Sequence, residues 1–391
     1  MSTSASRAEP AAARERAAVA VYRDVWLPPS EGFVLEPTTH FCRYRAVPVG
    51  LELAGRPHPL VEADRVRLLG RPADAAALCR LRTRGFPTGR PRALLGPDIR
   101  LVHAHFGPDA LLGQHIAADL DVPLAVTLHG YDITTQDRDF LRNRIGRNYL
   151  ALRHRLKRRV PLLLPVSDFL RAEMLRKGWP SGRTVTHHLG VDTSYWTPEK
   201  ASNARRDVLF VGRLVAVKGA AAAVAAFMRL RDEHPEARLH VVGEGPERAA
   251  LEQASVASGG RVLMHGSLPR ERIRELMRTC AVVLAPSEHS RGRREALSLV
   301  ALEAAASGLP VVAYASGGLP EVVKHGVTGL LAAEGDWAGL VDHLRSVLTD
   351  AERATELGDQ ARERCVASFS MATQARLLED LFDDLISSDN P

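Results

Sequence analysis

The chain has 391 residues, 45% hydrophobic and 25% charged, with a formal net charge of +6. That length and balance suit two globular domains, each long enough to bury a core, and exclude a collagen-like or wholly disordered chain. Residues 1–200 carry 30 Lys and Arg against 20 Asp and Glu, whereas residues 201–391 carry 22 against 26. A basic first half favours an anionic partner (a membrane surface, a phosphorylated acceptor or nucleic acid), with plain Arg-rich composition as the alternative. Nucleic acid has only the Arg content behind it and is not expected as a partner. No apolar run approaches the roughly eighteen residues of a membrane helix. Cys42, Cys79, Cys280 and Cys365 lack CxxC or metal-ligand spacing, so reduced structural thiols are expected.

Residues 1–16 read as a disordered lead without a signal-peptide core, which makes the cytoplasm the expected compartment. "AAVAVY" (17–22) reads as a first strand. Residues 50–98 are rich in Arg, Pro and Gly, and no periodicity orders their elements. Segments 100–107, 123–130 and 161–167 read as strands that end in polar or glycine residues, with helices over 108–120 and 138–159. Residues 190–207 are polar, contain Pro198 and read as a linker. The predicted division is a lead (1–16), a first domain (17–190), a linker (191–206), a second domain (207–370) and a terminal helix (371–391).

The second half has the clearer pattern. Apolar runs at 207–212, 238–245 and 261–266 each contain glycine at their ends and precede helical segments, the second of which opens at Pro246. Two further buried strands follow at 281–287 and 309–314. Strand, glycine turn and helix in repetition indicate parallel βαβ units with both sheet faces covered. Ligands of such sheets sit at the carboxyl ends of the strands. The last stretch is amphipathic, with Ala375, Leu378, Leu381, Phe382 and Leu385 on one face.

Several residues carry chemistry. Glu295 and Glu303 stand eight apart around an apolar stretch. A helix beginning near Ser298 puts Glu303 in its second turn and leaves Glu295 on the preceding loop, with the first-turn amides presenting an anion site. His129 ends a strand, a candidate site position. His103 and His105 form an H-x-H pair without further ligands in register, and no metal is expected there. "DRD" (137–139) has the D-x-D form but reads as helix-start charge. The strongly basic segment 142–159, with Ile145, Tyr149, Leu150, Leu152 and Leu156 as apolar partners, suits either a peripheral contact with an anionic membrane or a solvated face.

The E-x7-E pair followed by "ALEAAASGLPVVAYASGGLPEVVKHGVTGLL" resembles the signature of the retaining glycosyltransferases of the glycogen-synthase-like family four, which have the GT-B fold. "FVGRLVAVKG", "VVGEGPERAALE", "TLHGYD", "LPVSDFLRAEMLRKGW" and "GVDTSYWTP" resemble further family motifs, in order, over roughly residues 100–370. The resemblance implies two Rossmann-like parallel-sheet domains facing across a cleft, with the last helix returning to the first domain. It implies a nucleotide-sugar donor, UDP- or GDP-linked, and metal-independent transfer with a front-face mechanism and no cofactor. Arg213 and Lys218 would bind the diphosphate, Glu303 the ribose, and Glu295 the transferred sugar. Gly212, Gly245 and the amides of Ala296, Leu297 and Ser298 would line the donor site. His129 would contact the donor sugar from across the cleft, and Gly32 in "SEGF" would mark the acceptor-side loop.

Departures from the family pattern are Ala296 and Ser298, where Gly and Pro are usual, Leu189, where Asn is common, and the basic loop "EHSRGRREAL". They bear on donor identity. The "HAHFG…HGYD" style resembles exopolysaccharide transferases, so the acceptor is expected to be a lipid-linked or cell-surface glycan, handled in the cytoplasm or at the inner membrane face. The alternatives are a small metabolite acceptor, such as an aminocyclitol antibiotic precursor, and an epimerase-like protein that binds nucleotide sugars without transfer.

Overall fold

A computed structural model describes residues 16–28, 31–55, 57–199, 206–290 and 292–388. Two six-stranded sheets organise it. The strands of the first, β1 (Ala18–Tyr22), β3 (Arg45–Gly50), β5 (Arg67–Leu68), β6 (Ile99–His105), β7 (Leu124–Leu128) and β8 (Leu162–Pro165), lie in the order β5-β3-β1-β6-β7-β8. The second has β9 (Val208–Val211), β10 (Leu239–Val242), β11 (Val262–Gly266), β12 (Val282–Ala285), β13 (Val311–Tyr314) and β14 (Gly329–Ala332), ordered β11-β10-β9-β12-β13-β14. The pairings described within both sheets are parallel. β2 (Val25–Trp26) and β4 (Glu52–Leu53) form a small separate pair.

These strands are short runs of β-branched and aliphatic residues, and helices cover both of their faces. β1, β7, β8, β12 and β13 are buried along their whole length. Each fully buried Val or Leu contributes about 1.5–3 kcal/mol of transfer free energy, so the sheets need no polar alternation. In each sheet the strand order reverses beside the first strand: β1 lies between β3 and β6, and β9 between β10 and β12. That reversal opens a crevice at the strands' carboxyl ends.

Three expectations from sequence need correction. The single helix over 138–159 is two helices, Asp137–Phe140 and Arg144–Arg159. The side chain of Asn143 caps the second by accepting from Gly146 N, which starts a new helix instead of continuing the old one. The helix after β10 starts at Arg248, not Pro246. Ile145 is exposed and does not share the core side of its helix, where Tyr149, Leu152 and Leu156 are buried. The described residues between 50 and 98, whose elements the sequence did not arrange, include β4, β5 and helices Ala75–Arg84 and Arg90–Leu95.

The chain passes from the first sheet's domain to the second through the segment 191–206, of which 200–205 lie outside the described residues, and the described part is no bare tether: Val191 and Trp196 are buried. Helix Ala351–Phe369 then leads to helix Met371–Ser388. The second of these packs Ala375, Leu378, Phe382 and Leu385 into the first domain's core, against Val19, Trp26, Phe41, Leu101 and Leu164. The crossings run side by side. Val191 N donates to Phe369 O and Met371 N to Val191 O, each at 2.9 Å.

Candidate active site

The loops after β9 and β12 build one wall. β9 ends at Val211 and Gly212 follows, its N–H donating to Val242 O at 3.0 Å. Arg213 is exposed just beyond. The 3-10 turn Ala216–Lys218 ends at Gly219 (φ 70°), where a Cβ would collide with the carbonyl of Pro286. This close approach brings Lys218 beside the segment after β12, and its ammonium forms an ion pair with Glu295. Ser287 Oγ donates to the same carboxylate at 3.3 Å. Gly318 N donates to Glu295 O at 3.0 Å, which fixes the loop from behind. Gly245 packs against the backbone of Leu214, a residue after Arg213.

Ala296, Leu297 and Ser298 are buried, and Ser298 Oγ caps helix Leu299–Ala306 by accepting from Ala301 N at 3.3 Å. The positive end of that helix dipole therefore lies at the loop carrying Glu295. Glu303, one turn further along, is sunk so far that burial lifts its carboxyl from 4.5 to about 8, with Arg270 opposing and Glu36 assisting. The residue as a whole is only half-buried.

The opposing wall comes from the first domain. His129 follows β7, with Nε2 at 3.0 Å from His105 Nδ1 and rings stacked at 5.2 Å. Burial, then Arg23 and His103, holds His129 well below the usual imidazole range, so it is neutral at pH 7. Its Nδ1 is buried without a hydrogen-bond partner. Phe33 and Phe106 pack on its ring at 4.8 and 4.5 Å. Gly32 sits beneath His58, and its neighbour Phe33 therefore touches His129. Gly130 (φ 110°) would place a Cβ 2.6 Å from Ala296 Cβ, so the two walls meet there. Asp132 braces this turn by accepting from Gly107 N at 2.9 Å and Gly130 N at 3.0 Å. Burial raises its carboxyl to about 6.

His103 and His105 are buried ring partners, His103 bonding Thr127 Oγ1 at 2.7 Å. Both carboxylates of the "DRD" segment are ion-paired: Asp137 with Arg153 at 2.7 Å and Asp139 with Arg142 at 3.3 Å. Among the described residues, one trio could hold a metal, namely Asp168, His188 and Glu321. It joins the domains: Glu321 accepts from Asp168 N and Phe169 N at 2.8 Å and from His188 Nε2 at 2.9 Å.

Sequence reasoning missed a buried polar network at the end of β1. Arg23 pairs with Glu31 at 2.6 Å and with Asp109, and stacks over Phe106 at 4.3 Å. Arg82 pairs with Asp24 at 2.6 Å, and Tyr22 donates to Asp24 at 2.7 Å. It also missed Arg270, which crosses the cleft to Glu36 at 2.8 Å and lies 4.6 Å over the ring of Tyr195. The reversal beside β1 was the available signal for the first group: "YRD" leaves the switch-point strand.

Comparison with known proteins agrees with this architecture. The family described as Glycosyltransferase Family 4 matches residues 49–195, and Glycosyl transferases group 1 matches residues 196–364. A glycogen synthase of Mycobacterium tuberculosis is 33% identical over 287 residues, covering 71% of this chain and 67% of that one. The chain belongs to glycosyltransferase family 4. This transferase is also similar to the putative colanic acid biosynthesis glycosyltransferase WcaL of Escherichia coli, 27% identical over 72% of this chain and 70% of that one. Among solved structures, Anabaena HepE in complex with UDP and glucose superposes with a TM-score of 0.73 at 17% identity, covering 95% of this chain and 100% of that chain. Sucrose-phosphate synthase from Thermosynechococcus elongatus gives 0.74 at 20% identity over 95% of this transferase and 100% of the other. The fold is GT-B.

Proposed function

We propose that this glycosyltransferase moves a sugar from a UDP- or GDP-linked donor to an acceptor hydroxyl with retention, without a metal. The observation that carries this reading is the Lys218–Glu295 ion pair at the floor of the cleft, facing the wall that presents His129. Lys218 and Arg213 stabilise charge that grows on the departing diphosphate, a transition-state interaction. Glu303 accepts from ribose hydroxyls and Glu295 from the sugar. The orphaned Nδ1 of neutral His129 has a sugar hydroxyl as its partner. The leaving phosphate takes the acceptor's proton.

We take the acceptor to be a lipid-linked or cell-surface glycan intermediate, in keeping with the likeness to a colanic acid transferase. Helix 144–159 exposes cations, and Leu141 and Ile145 beside them are exposed as well, which suits a peripheral contact with an anionic inner membrane face. No described helix is long and apolar enough to cross a membrane. A second reading, a small-molecule acceptor, is favoured by a 25% identical relative named N-acetyl-alpha-D-glucosaminyl L-malate synthase. Calorimetric titration with UDP and GDP in EDTA tests the donor half: one nucleotide should bind, and Lys218→Ala should weaken it at least tenfold. Binding that requires added divalent metal would overturn the metal-independent reading.

A further inference from the structure

A second cavity lies in the first domain, apart from the donor wall. It encloses about 410 Å³ and is lined by Asp132, Gln136, Arg153, Lys157, Lys177 and Trp179, among others. That volume is in the range of small-molecule sites, roughly 300–1,000 Å³. Its roof is the segment directly after His129, and Gln136 in that roof lies against Gly292 of the loop leading to Glu295. The cavity therefore adjoins the cleft.

Its charges do not balance. Asp137 is held by two bonds from Arg153, both 2.7 Å. The oxygens of Asp132 are engaged by the amides of Gly107 and Gly130. What is left is two lysines whose described hydrogen bonds go to backbone carbonyls: Lys157 Nζ to Lys177 O at 2.5 Å, and Lys177 Nζ to Ile133 O. An ammonium has three donors, so each has capacity for a ligand. Burial is the main cause that lowers the pKa of both lysines; Asp137 offsets it in part at each, as Glu173 does at Lys177, and Arg153 adds to the lowering. An anion entering the cavity would relieve that cost, because an opposite charge favours the charged form. Trp179, with Lys157 Nζ 5.5 Å from its ring centre, supplies an apolar wall. An inorganic ion alone would leave most of this volume empty.

We propose that this cavity is an acceptor subsite for a sugar bearing an anionic group, phosphate or carboxylate, held by Lys157 and Lys177. The assignment to the acceptor rests on the transferase reading above; the anion site itself does not. The test is calorimetry on the full chain with glucose 1-phosphate, glucuronate, glucose and inorganic phosphate, without donor. At least one anionic sugar should bind, glucose should not, and inorganic phosphate should bind more weakly than the sugar. The preferred anionic sugar tells phosphate from carboxylate.

Lys157→Met and Lys177→Met, which keep the aliphatic stem, should each weaken binding at least tenfold. Lys157→Arg should restore it, which separates charge from folding. Saturating UDP and Lys218→Ala should leave it unchanged. Displacement by UDP, equal binding of glucose, or indifference to the lysine variants would overturn the site. In transfer assays with that anionic sugar, Lys157→Met should raise the acceptor KM at least tenfold with the donor KM within twofold. An unchanged acceptor KM would overturn the acceptor assignment. Loss of UDP binding sensitivity to Lys218→Ala would count against the donor reading alone.

Discussion

Replacing Glu303 by Gln removes one titrating oxygen while keeping the side chain's shape. Burial raises the carboxyl from 4.5 to about 8, and Arg270 lowers it less than burial raises it. The sign follows from which state holds the proton more tightly. Below about pH 4.5 both the folded and unfolded chains are protonated, and the group's contribution is complete. As pH rises the unfolded chain ionises first, so stability is lost until the folded carboxyl ionises near 8. The full shift corresponds to about 5 kcal/mol, at 1.36 kcal/mol per pKa unit. The residue's partial exposure to water brings the expected loss to about 2–5 kcal/mol. Urea denaturation of wild type and Glu303→Gln in parallel should therefore show the variant gaining about that much relative to wild type between pH 5 and pH 8.5. Other titrating groups are common to both proteins and cancel unless they couple to this site. A difference in stability that is constant across the window would refute the reasoning.

Lys218→Ala leaves Glu295 without its ion-pair partner and removes a cation from the diphosphate; the cognate nucleotide's Kd should rise at least tenfold by calorimetry. Glu295→Ala should instead lower kcat on the order of a hundredfold, as removal of a positioned transition-state contact does, with nucleotide affinity within about threefold. Gly130→Val puts a branched side chain into the contact with Ala296 at a φ of 110°; transfer should fall at least tenfold in steady-state assays while nucleotide binding persists. Arg82→Met takes from buried Asp24 its paired cation, leaving it the Tyr22 hydroxyl, while Asp109 keeps Arg23, and should cost about 3–5 kcal/mol in urea unfolding.

The sheets were legible because most of their strands are short, mainly apolar runs closed by glycine, proline or polar residues. β14 was passed over because "GLLA" offers only two large apolar residues and no β-branched one. β3 carries Pro48 in the interior of its run, which demotes it as a strand. The break before Arg144 was hidden because Asn143 caps a helix with a residue type equally common in loops. The pairing of Lys218 with Glu295 spans 77 residues, and only the motif spacing placed both near the donor. The network of Arg23, Asp24, Arg82 and Asp109 leaves no local pattern, because its members come from a strand end and two separate helices.

The paired crossings at Val191 and Ser370 have a mechanical consequence. A single connection would let one domain twist as well as swing about the other. Two adjacent strands of chain, bonded by a short parallel bridge, suppress the twist and leave one principal axis of opening. Any opening of the cleft about that joint has to part the Glu36–Arg270 and Gly130–Ala296 contacts together. Chain cut after Phe369 would lose that axis and would also expose Trp26 and Leu101 of the first domain, so the last eighteen helical residues govern both the stiffness of the joint and the integrity of a core encoded more than three hundred residues earlier.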